Sequence, residues 1–306
     1  MSGQDVIPAA AAQMPQGIAG HDLAGQDLAG QDLADLERAV ALLTTPSLTV
    51  RIAALVGTPV EKLLAKLPKG ASRRIHGAVE AALEKSAQVA LWKMDDAPER
   101  KASTRMHKAV AAATGAAGGF FGWTGLLVEI PASTTVMLRA IADVARSEGF
   151  SLADPSVQRD CIAVFSLGGT GAADDAAETG YYATRAMIEA ATEGAGPALI
   201  AHAAKRSVAA SEAGALLTKV VKAVAARLGV VFSEKAAAQM VPIVGAAGGA
   251  TINALFTDHF QNMARGHFIV RRLEARHGAA AIEAEFRRLA RARRAPPVPV
   301  LPKPMP

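Results

Sequence analysis

The stretch Ala109–Val128 reads AVAAATGAAGGFFGWTGLLV and contains no charged residue over twenty positions. A second stretch, Ala236–Thr257, reads AAAQMVPIVGAAGGATINALFT and is uncharged over twenty-two positions. Both contain the pentapeptide GAAGG, at 115–119 and at 245–249. Small residues at three- and four-residue intervals leave a strip on a helix where a second helix backbone can pack closely. The two runs therefore predict Gly/Ala-rich helix crossings.

The uncharged runs have two interpretations, as hairpins buried in a core or as hairpins that face lipid. Each run is long enough to cross a bilayer. However, eleven residues of the first run are Ala or Gly, and its six Leu, Phe and Val residues supply only about −2 to −4 kcal/mol of insertion free energy. The second run carries Gln239 and Asn253. In either interpretation the contact positions are Gly115, Gly118, Gly119, Gly122, Gly245, Gly248 and Gly249.

The rest of the chain also favours helices. Of its 306 residues, 51% are apolar but only 4% are aromatic, and the many Ala residues are the best helix formers. Apolar residues recur at helical spacing through most of the chain. We expect one all-α domain of roughly ten to thirteen helices over residues 33–294. One helix is predicted to begin at Pro131 and run to Gly149, and another to cover Pro197–Ala213.

The two ends of the chain differ from this pattern. Residues 1–32 contain most of a short repeat, with three copies of Asp-Leu-Ala between residues 22 and 34, and residues 295–306 are rich in proline. Neither end has enough apolar surface to offset the entropy of ordering it, so both are predicted to be disordered tails. The N-terminus lacks the basic cluster and apolar core of a secretory signal. We therefore expect a cytoplasmic protein, peripheral at the inner face of the membrane if it binds lipid.

Positive charge is concentrated near the C-terminus. The net charge is +5, yet Arg265–Arg294 alone contains nine Arg and three Glu. Such a cluster suits a solvated helix end, an anionic membrane surface or another acidic partner. No zinc-ligand spacing or aromatic RNA-binding motif accompanies it, so nucleic acid is not predicted as a partner. The residues predicted to contact an anionic surface are Arg287, Arg288, Arg291, Arg293 and Arg294.

Motifs of the common enzyme classes are absent from the sequence. It has no GxSxG, HExxH, Walker or Rossmann pattern, and these motifs carry the chemistry of hydrolases, metalloproteases and nucleotide-binding enzymes. A single cysteine, Cys161, excludes both an intramolecular disulfide and a cysteine-based metal site. His259 and His267 are eight positions apart, about 12 Å along a helix, which is too far to share one ion. No metal and no cofactor is predicted.

Glu129 is the most conspicuous polar residue, since it ends an apolar run two positions before Pro131. A carboxylate in such a place needs a partner or a raised pKa. A helix cap or a salt bridge explains it, and so does general acid or base catalysis. Together with His107, Arg139 and Asp143 it forms a weak set of catalytic candidates. Asn253 is expected to form a hydrogen bond with a neighbouring helix.

Several strings also carry a resemblance to a known family. The first set is Glu129-Ile-Pro131, LRAIADVA at 138–145, Glu148-Gly149 and Asp154-Pro155. The second set is VPIVGAAGG at 241–249, Asn253, Ala264-Arg265, Arg272-Leu273-Glu274 and His277-Gly278. In order and spacing, from about residue 35 to 285, the chain resembles the EcsC family, named for a bacterial protein encoded beside an ABC transporter. The resemblance implies a helical bacterial protein linked to transport or secretion, and it assigns no catalytic residues to this chain.

Two functions follow as hypotheses. The first is a non-enzymatic helical module at a membrane surface or on a membrane protein such as a transporter, suggested by two uncharged hairpins beside an Arg-rich helix. The second is a soluble, hydrolase-like enzyme with a charged cleft around Glu129, Arg139 and Asp143. A cleft where these residues converge would favour the enzyme, and a continuous apolar surface would favour lipid.

Overall fold

The protein is all-α, as the sequence predicts. A computed structural model describes residues 28, 30–90, 102–120, 122–168, 177–192, 212–240 and 245–294, and this part of the chain contains eleven α-helices and no strand. The helices are α1 Gly30–Leu43, α2 Leu48–Val56, α3 Val60–Leu64, α4 Ala71–Ala90, α5 Thr104–Phe120, α6 Gly122–Ser147, α7 Pro155–Ala163, α8 Ala177–Thr192, α9 Glu212–Gln239, α10 Gly245–His277 and α11 Ala279–Arg294. A 3-10 turn at Val164–Ser166 follows α7.

The long helix α10 is the axis of the domain. It packs most extensively against α5 and also against α1, α6 and α11. Helix α6 packs on α4 and α5, and α4 packs on α9. The buried apolar side chains of these helices form one cluster, with Phe232, Phe256, Phe260 and Phe268 among its largest members. A single core supports the prediction of one domain.

Local sequence signals explain several helix boundaries. Ser47 caps α2, where its hydroxyl accepts a hydrogen bond from the Val50 amide at 3.4 Å. Asp154 caps α7 in the same way, with Pro155 at the first helical position. Gly278 separates α10 from α11 with a φ of 86°, a conformation that side chains disfavour.

The predicted boundary at Pro131 is wrong, because this proline lies inside α6. The apolar stripe continues through it, since Leu126, Ile130, Met137 and Ile141 are all buried on one side of a single helix. This packing outweighs the backbone hydrogen bond that proline cannot donate.

Two other predicted boundaries need comment. Helix α1 begins at Gly30, so residues 30–32 of the predicted N-terminal tail are helical. Otherwise the predicted tails lie outside the described residues, apart from Leu28. The helix predicted over 197–213 also lies outside them, except for residues 212 and 213, which begin α9.

Candidate functional site

A fully buried charge pair joins the helices that carry the two uncharged runs. Lys235 Nζ of α9 donates a hydrogen bond to Glu129 Oε1 of α6 at 2.5 Å, and also to Asn253 Oδ1 of α10. Asn253 Nδ2 donates to the same Glu129 oxygen at 2.6 Å and to the Ala111 carbonyl of α5 at 2.9 Å. Ser133 Oγ donates to Glu129 Oε1 at 2.8 Å. The cluster therefore ties four helices together.

The surroundings of Lys235 are apolar. Its ammonium lies 5.4 Å from the ring centroids of both Phe232 and Phe256. Burial lowers the pKa of Lys235, while the carboxylate of Glu129 counteracts that shift. A buried charge is tolerated in such a place only when it is paired and hydrogen-bonded. The ion pair and its hydrogen bonds thus connect these four helices to one another.

All four helices end close to this cluster. Ala111 lies nine positions before the end of α5, and Asn253 lies eight positions after the start of α10. Glu129 lies seven positions after the start of α6, and Lys235 four positions before the end of α9. At 1.5 Å per residue, the four helix ends lie only about 6 to 14 Å beyond the cluster.

Helices α5 and α10 run antiparallel in a defined register. Asn253 pairs with Ala111, Lys108 forms an ion pair with Asp258, and Gln261 Nε2 donates to the Thr104 carbonyl at 3.2 Å. The same register, continued along both helices, brings residues 115–119 opposite residues 245–249. The backbones of the two GAAGG pentapeptides therefore lie at the same end of the bundle, which we call the uncharged end.

Helix α9 also runs antiparallel to α10. The Phe232 and Phe256 rings lie 5.7 Å apart, and Lys235 contacts Asn253 one turn nearer the helix ends. Each uncharged run is thus divided between two antiparallel helices, the first between α5 and α6 and the second between α9 and α10. Neither run forms a single continuous helix among the described residues.

Exposed apolar side chains occur on the helices near the uncharged end. Val128 of α6 is 82% exposed, Val110 of α5 is 45% exposed, and Met240 after α9 is 37% exposed. Isolated exposed apolar residues are common, but Val110 and Val128 lie on α5 and α6, two helices that pack on each other. In the opposite direction Leu126, Ile130 and Ile252 are fully buried. The described parts of the runs therefore have one face in the core and one face outside it.

The predicted glycine contacts are only partly described. Gly248 and Gly249 lie in the first turns of α10, Gly249 buried and Gly248 half-buried. The backbone positions of the other five lie in helices, but what surrounds them is outside the described part of the structure. These five are Gly115, Gly118, Gly119, Gly122 and Gly245.

The predicted catalytic residues do not form one cleft. Glu129 and Asp143 are both buried, fourteen positions apart on α6 and thus about 21 Å apart along its axis. Arg139 lies between them but is exposed. His107 Nε2 is 3.5 Å from Asp143 Oδ2, and Arg146 pairs with the other oxygen of that carboxylate. The hypothesis of a charged cleft around Glu129, Arg139 and Asp143 therefore loses its geometric basis.

Asp143 belongs to a structural contact at the start of α5. The Ser103 backbone amide donates a hydrogen bond to its carboxylate. Burial alone would raise the pKa of Asp143, but His107, Ser103 and Arg146 outweigh it and hold the pKa below its ordinary value. The carboxylate thus stays ionised and joins α5 to the far half of α6.

The two histidines of α10 occupy separate buried sites. The Tyr181 hydroxyl and His267 Nδ1 share a hydrogen bond of 3.0 Å, and His267 Nε2 lies 3.8 Å from Asp160 Oδ2. His259 packs against the backbone of Gly168, where any side chain would meet the imidazole at 2.6 Å. No group of three metal-ligating side chains occurs within the described ranges.

The Arg-rich helix α11 lies far from the uncharged end. Its Phe286 stacks on Tyr181, with ring centroids 5.4 Å apart, and Tyr181 contacts His267. His267 lies twenty-two positions from the start of α10, about 33 Å along the axis. The arginines of α11 are therefore not beside the uncharged hairpins.

Two of the five predicted surface arginines are already paired within α11. Arg287 pairs with Glu283 and Arg288 with Glu285, both at 2.5 Å. Such pairs are typical of a solvated helix surface and weaken the field that the cluster presents to a partner. Arg291 and Arg293 are exposed, and the side chain of Arg294 lies outside the described part of the structure.

One helix is long and apolar enough to cross a bilayer within the described ranges. It is Thr124–Ser147 of α6, and 56% of its most apolar window is buried inside the protein. Helices α1 and α2 pass the same test as a pair, bent by 55°. Core helices of globular proteins meet these criteria as well, so the observation alone does not assign a membrane span.

Comparison with known families agrees with the strings noted in the sequence. The model of the EcsC protein family matches residues 35–273, which is most of the chain. No curated protein and no solved structure matches the chain. The protein belongs to the EcsC family. The matched region covers α1 to most of α10 and includes the whole Glu129–Lys235–Asn253 cluster.

Proposed function

We propose that this EcsC-family protein is a non-enzymatic module that attaches to one leaflet of a membrane through its uncharged end. The observation that carries the proposal is the register of α5 and α10, which brings both uncharged runs to the same end of the bundle. A buried core alone would not require two uncharged runs, which begin 127 positions apart in sequence, to lie at the same end of the bundle.

The height of the uncharged surface fits one leaflet. On α5, the charged residue nearest to the uncharged end is Lys108, twelve positions before the end of the helix. On α10, it is Asp258, thirteen positions after the start of the helix. These intervals correspond to about 18 to 20 Å. Half of a hydrocarbon core is about 15 Å thick. The uncharged end is therefore tall enough for one leaflet and too short to span two.

The buried charges do not oppose this attachment. Glu129 and Lys235 lie within the height of the uncharged end, yet both are enclosed by the four helices and neutralise each other. Lipid would contact the outer faces, where Val110, Val128 and Met240 are exposed. Attachment in this orientation therefore requires no unpaired charge in the bilayer.

Substitution of exposed apolar residues tests the proposal directly. Val110→Asp with Val128→Asp should abolish co-sedimentation with phosphatidylcholine vesicles while leaving the thermal melt unchanged, because both side chains are exposed. Met187→Asp on α8 is the matched control, since Met187 is 54% exposed and lies on another helix. Its binding should equal that of the unaltered protein.

The outcomes separate lipid from other functions. Loss of binding in the double variant alone supports attachment through the uncharged end. Equal loss in the control, or failure of the unaltered protein to bind any vesicle, overturns the proposal. An association with the cytoplasmic side of the membrane would then require a membrane protein, such as a transporter, as the partner.

A further inference from the structure

We propose that anionic lipid headgroups are bound by five cations around α3 and the start of α4, and not by the Arg-rich helix α11. This inference rests on the attachment proposed above, because it assigns the charged rim of the same membrane surface. The five residues, which we call the basic collar, are Lys62, Lys66, Lys69, Arg73 and Arg74.

The basic collar is exposed and unpaired. All five side chains belong to exposed residues, and none has an ion-pair partner among the residues that the structure describes. Over residues 60–76 the only carboxylate is Glu61, so the segment carries a formal charge of +4. On α11, by contrast, Arg287 and Arg288 are paired with glutamates of their own helix. The collar therefore presents the more available positive charge.

The position of α3 places the collar close to the uncharged end. Helix α3 packs on α9 through the buried residues Val60 and Leu63. Glu61 is near enough to Glu234 of α9 to contribute to the raised pKa of that carboxyl, in addition to the larger effect of burial. Glu234 lies five positions before the end of α9, which corresponds to about 8 Å.

The start of α4 is slightly farther from that end. The His76 ring packs directly against the backbone of Gly229, where a side chain would overlap it. Gly229 lies ten positions before the end of α9, about 15 Å along the axis. Lys235, four positions before the end of α9, contacts Asn253, eight positions after the start of α10, so the end of α9 lies about 6 Å short of the start of α10. Measured from the start of α10, the collar therefore lies beside α9 at about 14 to 21 Å from the uncharged end.

This height matches the headgroup layer. The proposed attachment inserts the uncharged end through about 15 Å of hydrocarbon, so cations about 14 to 21 Å from that end lie at the level of the headgroups. Each Lys or Arg near an anionic surface strengthens binding by about fivefold at low salt. The point of α11 that contacts fix, where Phe286 stacks on Tyr181 beside His267, lies about 33 Å from the start of α10 and thus above the headgroup layer when the uncharged end is inserted.

Two variants with equal loss of charge test the assignment. The collar variant carries Lys62→Gln, Lys66→Gln, Lys69→Gln, Arg73→Gln and Arg74→Gln. The control carries Gln at positions 287, 288, 291, 293 and 294 in place of the five arginines. Each is compared with the unaltered protein on vesicles of phosphatidylcholine alone and of phosphatidylcholine with an equal amount of phosphatidylserine.

We expect phosphatidylserine to strengthen binding of the unaltered protein and of the control. For the collar variant, the increase in affinity caused by phosphatidylserine should be at least about tenfold smaller. A further variant that exchanges Lys for Arg and Arg for Lys at the five collar positions should bind like the unaltered protein. This charge-conserving variant shows that an effect comes from charge and not from a damaged fold.

The remaining outcomes overturn the inference in distinguishable ways. If the control loses as much binding as the collar variant, or more, the collar is not the headgroup site. If phosphatidylserine adds nothing to binding on phosphatidylcholine, the inference fails while the attachment through the uncharged end stands. If no vesicle is bound, the proposed attachment fails and the inference fails with it.

Discussion

Lys235 and Glu129 are 106 positions apart in sequence, yet Lys235 Nζ lies 2.5 Å from Glu129 Oε1 inside the bundle. Neither residue is exposed, and Asn253 contacts both. The pair is therefore the point at which the two uncharged hairpins are fixed to each other. Its contribution differs from that of the surface ion pairs, because removal of one partner leaves the other charge buried and alone.

We predict that Lys235→Met destabilises the protein by about 3 to 5 kcal/mol, the cost of an unpaired buried carboxylate. The double variant Lys235→Met with Glu129→Gln should recover most of this loss, because no net charge then remains in the core. Urea unfolding followed by circular dichroism measures both values. Equal instability of the single and double variants would show that packing, and not charge pairing, is what the lysine contributes.

A glycine on α10 marks a close helix crossing with α1. A Cβ atom at Gly266 would lie 2.6 Å from Leu43 Cγ and 3.2 Å from the Ala39 carbonyl oxygen. Gly266→Ala should therefore destabilise by about 1 to 3 kcal/mol through overpacking. Gly77→Ala in α4 is the control, since no atom lies within 4 Å of its Cβ position. It should stabilise by about 0.5 to 1 kcal/mol, so thermal shifts of the same sign in both variants would contradict this account.

Glu234 should make the stability of the protein fall as the pH rises towards neutrality. Burial, assisted by Glu61, raises the pKa of its carboxyl from 4.5 to about 7, although the Thr49 hydroxyl donates a hydrogen bond to it. The folded state thus holds a proton that the unfolded state releases above pH 4.5. The stabilisation is complete below that pH and is lost as the pH rises through about 7.

Glu234→Gln should remove this loss. Relative to the unaltered protein, the variant should gain at most about 1.4 kcal/mol per pH unit between pH 4.5 and 7, and nothing below pH 4. Urea unfolding at a series of pH values gives the difference curve. A difference that does not change across this interval would show that Glu234 is ionised in the folded protein.

Asp160 has the opposite pH dependence. Burial favours its neutral form, but His267, Arg271 and Arg159 outweigh burial and lower its pKa from 3.8 to about 2. Its stabilisation is present above about pH 4 and is lost as the pH falls through 2. Asp160→Asn should therefore lower the melting temperature at pH 7, and the gap should close towards pH 2. A gap that stays constant down to pH 2 would assign the effect to shape instead of charge.

The sequence predicts the helices better than their contacts. The Gly/Ala-rich runs, the caps at Ser47 and Asp154 and the long α10 follow local rules, so the fold class could be predicted. The predicted boundary at Pro131 is wrong because the apolar stripe that continues past this proline outweighs its local effect on the helix. Asn253 was recognised as a contact between helices, and its donation to the Ala111 carbonyl confirms that prediction.

The site is less predictable, because its members come from distant positions. Glu129 was conspicuous in an uncharged context, whereas Lys235 follows Ser233-Glu234 and looks like any surface lysine. Only the antiparallel packing of α9 and α10 places it in the core. The basic collar is hard to predict for another reason. Pro68 and Gly70 lie between the cations of α3 and those of α4, so the collar is not contiguous in sequence. The arginines of α11, by contrast, form an obvious cluster in the sequence.

The packing of α5 against α10 also means that two partner helices are synthesised at different times. The Asn253 side chain that completes the hydrogen bond to Ala111 is translated 142 residues later. At ordinary elongation rates that interval lasts about 7 to 28 s. During this time the first uncharged hairpin has left the ribosome without its partner helix, and a chaperone or a membrane surface can reach it first.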